Sequence, residues 1–99
     1  MKNLKVSVFV TDPSMGNEQR KNMEKEFVDF IINMDLPSFS NLNRTVLGLF
    51  NDSLESSDPN YYDLKINYAI KEFNDDAQVS INEKYGCYSK FLKYQIDFA

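Results

Sequence analysis

Asp58-Pro59-Asn60-Tyr61-Tyr62-Asp63-Leu64-Lys65-Ile66-Asn67-Tyr68-Ala69-Ile70-Lys71-Glu72-Phe73 is the stretch on which the fold turns. It carries two repeats at once. Leu64, Ile66, Tyr68 and Ile70 alternate with Lys65, Asn67, Ala69 and Lys71, the two-residue period of a half-buried strand. The same residues fit a helix capped by Asp58, with Pro59 at its first position and Tyr62, Ile66, Ala69 and Phe73 on one face. The alternation makes a strand the expected state, and the helix is the alternative. Downstream, Asn74-Asp75-Asp76 is turn chemistry, and Val79 and Ile81 start another strand. Gly86 falls in a turn before a last strand, where Leu92, Tyr94, Ile96 and Phe98 alternate with Phe91, Lys93, Gln95 and Asp97.

Upstream, Leu4, Val6, Val8 and Val10 alternate with Lys5, Ser7 and Phe9, which predicts a strand. Thr11-Asp12-Pro13-Ser14 breaks it, and Asp12 or Ser14 can cap a following helix. In that helix Met23, Phe27, Phe30, Ile31 and Met34 form an apolar stripe widened by Val28, leaving Glu18, Arg20, Lys21, Lys25 and Asp29 to solvent. Asp35-Leu36-Pro37 ends it, because proline disfavours helical geometry in the preceding residue. A second helix is expected from near Ser40 to about Leu54, capped by Ser38 or Ser40, with Leu42, Val46, Leu49, Phe50 and Leu54 on one face. The expected order is one strand, two helices, then three strands. That order predicts a single α+β domain over residues 1–99, with the helices packed on one face of a mainly antiparallel sheet.

With 99 residues the chain has room for one core, and eight Phe and six Tyr supply large rings to fill it. Absent residue types exclude much chemistry. There is no His, the usual general base and commonest metal ligand. The lone Cys87 allows neither an intrachain disulfide nor a cysteine zinc site. Gly16, Gly48 and Gly86 lie too far apart for a phosphate loop. The expectation is a protein that is not an enzyme and needs no cofactor or metal. No run approaches the ~20 apolar residues of a membrane span. The basic-then-apolar opening from Met1 to Val8 reads as the first strand of a cytoplasmic protein, since no small-residue cleavage site follows it.

The remaining candidates are few. Asp75-Asp76 and Glu24/Glu26 are the closest carboxylate pairs, but acid–base work needs two carboxyls facing across a cleft, and adjacent turn aspartates seldom do so. Cys87 has no histidine to activate it. Tyr85 and Tyr88 with Lys84, Lys90 and Lys93 have the composition of a base-stacking platform, weighed against these rings serving the core or a protein interface. Charge placement says more. Basic and acidic groups balance in residues 1–34 and again in 64–99, so the whole net charge of −4 lies between, where Asp35, Asp52, Glu55, Asp58 and Asp63 face only Arg44. A net acidic chain repels a phosphate backbone, so direct nucleic-acid binding is disfavoured. The same carboxylates can draw in a basic groove, and Tyr61-Tyr62 beside them supply rings of the kind that anchor interfaces. The expected partner-binding residues are therefore Asp52, Glu55, Asp58, Tyr61, Tyr62 and Asp63.

In type, being very short, acidic and rich in Asn, Lys, Ile, Phe and Tyr, the chain resembles small phage or mobile-element inhibitors of host defence, including anti-restriction and anti-CRISPR proteins. The resemblance implies a phage-encoded protein of the host cytoplasm that binds and inhibits a larger, basic nucleic-acid-binding protein, competing with its nucleic acid. The alternative is a small structural or assembly protein, such as a phage accessory subunit, that forms homo-oligomers through a tyrosine-rich sheet.

Overall fold

Two strands from distant parts of the sequence form the sheet. β1 (Leu4–Val10) and β2 (Leu92–Phe98) pair antiparallel in an unbroken register from Leu4↔Phe98 to Val10↔Leu92. The period-two pattern of both segments puts Leu4, Val6, Val8 and Val10 on one face with Leu92, Tyr94, Ile96 and Phe98. Lys5, Ser7 and Phe9 lie opposite Asp97, Gln95 and Lys93 on the other face. Pairing continues one step further, where the Thr11 N–H donates to the Phe91 carbonyl at 2.8 Å. The computed structural model describes residues 3–98; Met1 and Lys2, which begin the basic-then-apolar opening, and Ala99 lie outside the described residues.

Three helices connect the strands. α1 (Asn17–Ile32) begins after Gly16 rather than at Asp12 or Ser14, and the Gln19 side chain accepts from the Gly16 N–H at 3.3 Å. Its predicted stripe turns inward, burying Phe27 and Ile31 with Met23 and Met34 beside them. α2 (Phe39–Leu54) is capped by Ser38, whose hydroxyl accepts from the Asn41 N–H at 3.2 Å. Leu42 and Val46 are buried and Leu49 and Phe50 pack beside them, but Leu54, expected on the same face, is 81% exposed. The last turn of α2 runs past the body it packs on.

α3 (Pro59–Tyr85) replaces three expected elements. The strand over 64–71, the turn at Asn74-Asp75-Asp76 and the strand at Val79 and Ile81 are a single helix of 27 residues, starting with Pro59 at its first position. Among the described residues the domain is α+β with one strand, three helices and one strand, and its sheet has two strands rather than four. The physical reason is the length over which each repeat persists. The alternation lasts about two helical turns, whereas Tyr62, Ile66, Phe73, Ala77, Ile81 and Tyr85 keep an i, i+4, i+7 stripe along the whole segment. Ile66, Phe73, Ala77 and Ile81 are buried through it. Packing along such a stripe outweighs β-propensities that span only ~1 kcal/mol per residue. Ile66 and Ile81, expected on the sheet, thus reach the core from a helix. Asp75, expected in a turn, binds Lys71 one helical turn away at 2.8 Å.

Gly86 ends α3 with φ +58° and ψ −133°, a conformation that L side chains rarely adopt. A 3₁₀ turn (Gly86–Phe91) then feeds β2. The core lies between the helices and the aliphatic face of the sheet. Phe27 and Ile31 from α1, Val46 from α2 and Ile81 from α3 are its most enclosed large side chains. The Phe27 ring meets Tyr85 and Tyr94 edge-on, at 5.8 and 6.3 Å between centroids. At ~1.5 Å per residue α3 is about 40 Å long, and the molecule measures 51 × 24 × 19 Å. The junction of α2 and α3 forms one tip of that long shape.

Candidate functional site

The tip collects all six residues expected to bind a partner. Asp52 lies in the last turn of α2, Glu55 follows it, Asp58 precedes α3, and Tyr61, Tyr62 and Asp63 occupy the first turns of α3. Asp52, Glu55, Asp58 and Asp63 are exposed, and the Asp58 side chain makes no capping bond. Tyr61 and Tyr62 meet edge-on at 5.3 Å, but they divide the work: Tyr62 is half-buried while Tyr61 is 50% exposed. The Lys65 ammonium sits 4.5 Å from the Tyr61 ring centroid. Tyr61 is the main cause that raises the pKa of Lys65 above its ordinary 10.5, with Tyr62 and Asp52 adding smaller attractions.

The structure adds residues that the strand expectation hid. On α3, Tyr61, Leu64 and Tyr68 stand at i, i+3 and i+7, on the side opposite Ile66 and Phe73. Leu64 is 70% and Tyr68 67% exposed. In a strand both would have shared a face with Ile66 and Ile70; a helix sends them outward. The helical alternative, applied to the outward residues as well as the inward ones, carries that signal. The result is an aromatic and aliphatic stripe with carboxylates beside it in sequence and space.

The other candidates disperse. Asp75 and Asp76 lie exposed on α3 with Asp75 paired to Lys71. Glu24 and Glu26 are two apart on α1, a spacing that does not bring side chains together. Cys87 is exposed in the 3₁₀ turn. The base-stacking platform is overturned, because its rings are engaged in the body. Tyr85 packs edge-on to Phe30 at 5.6 Å as well as to Phe27, and burial, with a smaller push from Glu26, raises its pKa to about 12. Tyr94 is likewise raised to about 12 by burial and then by Asp75, and its hydroxyl donates to Asn74 Oδ1 at 2.7 Å. The Tyr88 hydroxyl donates to Asp12 Oδ2 at 3.0 Å. Lys84 and Lys90 lie over Phe30 and Phe91, at 5.2 and 5.1 Å.

Asp12 is a structural residue that the sequence reading treated only as a helix cap. Just after β1 and only 8% exposed, it accepts from the Ser14 N–H at 2.9 Å and the Ser14 hydroxyl at 2.7 Å, besides Tyr88. The Ser14 hydroxyl, then its N–H, hold the Asp12 carboxyl below the usual value, helped less by Tyr88 and Arg20.

Among the described residues, no group of three His, Cys, Asp or Glu side chains is placed to hold a metal ion, and no helix is long and apolar enough to cross a membrane. No protein-family model, no curated protein and no solved structure matches the chain.

Proposed function

We propose that the chain is a non-enzymatic binding protein whose α2–α3 tip engages a larger, basic, nucleic-acid-handling protein and inhibits it. The observation that carries this reading is the exposed Tyr61–Leu64–Tyr68 stripe bordered by Asp52, Glu55, Asp58 and Asp63. Rings and a leucine left half or more exposed are suited to anchor a partner once water is excluded. Carboxylates around them speed encounter with a lysine- and arginine-rich groove and repel nucleic acid itself. Occupying that groove denies it to the partner's phosphate backbone, which is how inhibitors of the anti-CRISPR and anti-restriction type would act.

The test is affinity capture from the lysate of the host that encodes the protein, at two salt concentrations, with parent and variants shown to be folded by circular dichroism. A basic nucleic-acid-binding protein is expected on the parent and should be released by salt. Reversing Asp52, Glu55 and Asp58 to lysine should mainly slow association. Tyr61→Ala should mainly speed dissociation, by ~2 kcal/mol if the ring is central to the contact. If the triple variant binds the captured protein as fast as the parent at low salt, the tip is not the docking surface.

A further inference from the structure

The sheet ends at β2, whose outer edge has no neighbouring strand among the described residues. In the two-stranded sheet each strand has one edge without a neighbouring strand. The edges differ. On β1 the Leu4 N–H points away from β2 and is taken by Asn43 Oδ1 of α2 at 3.1 Å, and α1 packs along the strand. The Thr11–Phe91 bond places residues 5, 7 and 9 in the hydrogen-bonded positions of the pair, facing 97, 95 and 93. The N–H and C=O groups of Tyr94, Ile96 and Phe98, and the C=O of Leu92, therefore point out of the β2 edge, the Leu92 N–H already donating to Ser89. Two devices that often blunt an edge are absent, since β2 contains no proline and its register with β1 shows no bulge; the charges it does carry, Lys93 and Asp97, are of opposite sign.

We propose that the chain forms a symmetric dimer in which two β2 strands pair antiparallel about Gln95, joining two sheets into one of four strands. Leu92-Lys93-Tyr94-Gln95-Ile96-Asp97-Phe98 is complementary to itself when reversed. Around a two-fold axis at Gln95, Leu92 lies opposite Phe98 of the second copy, Tyr94 opposite Ile96, and Lys93 opposite Asp97. Main-chain parity agrees, because Tyr94 and Ile96 are edge-pointing residues and would exchange both bonds. Lys93 and Asp97 then fall in the non-hydrogen-bonded positions, where side chains approach more closely and opposite charges stabilise. The apolar pairs stay on the core face and the ion pairs on the outer face. A slip of one residue would mix the faces. A slip of two would set Lys93 against Gln95 or beyond the strand end, losing both ion pairs and shortening the ladder. The register that pairs the whole strand is also the one that matches its charges. Such an interface is isologous and closes at two copies, and it leaves the Tyr61–Leu64–Tyr68 tip uncovered on each.

Sedimentation equilibrium of the purified chain up to millimolar concentration, with circular dichroism of every variant, tests this. The parent is expected to dimerise. Lys93→Asp sets an aspartate against an aspartate in both pairs, and Asp97→Lys sets a lysine against a lysine in both. Each alone should weaken self-association by roughly tenfold or more. Mixing the two variants should restore a dimer containing one of each, and the double variant carrying both changes should dimerise like the parent. Ile96→Pro removes an edge donor that the β1 pairing does not use and should give a folded monomer. A parent that stays monomeric overturns the proposal. A dimer that persists unchanged in both charge variants, or a mixture that fails to associate, also overturns it and moves the contact to another face.

Discussion

From Lys71 onward the solvent side of α3 carries Lys71, Glu72, Asp75, Asp76 and Glu83, with Val79 among them; before Lys71 it carries Tyr61, Leu64 and Tyr68 among Asp63, Lys65 and Asn67. Both halves bury an inward face, Tyr62 and Ile66 in the first, Phe73, Ala77 and Ile81 in the second. The second half is an ordinary amphipathic helix whose apolar content, Val79 apart, is used up by the core. The first half carries more apolar surface than its packing consumes. Folding needs the inward stripe everywhere, so it accounts for the second half fully and for the first only in part. The surplus at the tip is what makes that end the candidate for binding.

Three substitutions test the comparison, from large effects to none. Phe27→Ala removes the ring that meets Tyr85 at the end of α3's second half and should cost ~3–5 kcal/mol, enough to unfold a domain of ordinary stability. Urea denaturation reads this directly, and a parent-like midpoint would mean that the second half is not held as described. A smaller effect, confined to acid, belongs to Asp12, which ties the end of β1 to the 3₁₀ turn following α3. Its folded-state pKa lies below the ordinary 3.8. Its contribution is therefore complete above that value and is lost as pH falls below it toward the lowered pKa. Urea midpoints measured between about pH 5 and 2 should drop for the parent and drop less for Asp12→Asn, which has already lost the charge. Leu64→Ala, on the surplus face, should leave stability within ~0.5 kcal/mol of the parent. A clear loss there would show that the tip is packed after all.

Residue patterns foretold β1, α1, α2 and β2, because in each the repeat fills the whole element and the breakers stand at its ends: Thr11-Asp12-Pro13, Asp35-Leu36-Pro37 and Gly86. α3 was legible only as an alternative. Over Leu64–Lys71 both periods fit, and nothing within those eight residues records that Phe73, Ala77 and Ile81 continue the helical one. The six acidic and aromatic residues expected at an interface still fall together at the α2–α3 junction, because closeness in sequence survives a wrong secondary structure. Leu64 and Tyr68 were missed because the face a residue occupies does not. The open edge of β2 was hidden for the same reason: with three further strands expected beside it, it would have had neighbours.

The pairing of β1 with β2 also sets a timetable for the newborn chain. Thr11 and Phe91, which close the ladder at one end, are 80 positions apart. At roughly 5–20 residues per second the ribosome needs on the order of 4–16 s to make what separates them. Leu4-Lys5-Val6-Ser7-Val8-Phe9-Val10 must spend that interval without the strand that will pair with it. α1 packs on β1 and α2 on α3, all of them made before β2, so a helical body can gather around a waiting β1 before translation of β2 is complete. The sheet is then the last part to be stitched in. A ribosome stalled between Gly86 and Leu92 would hold a chain in which all three helical segments have been made and the strand that completes the sheet has not.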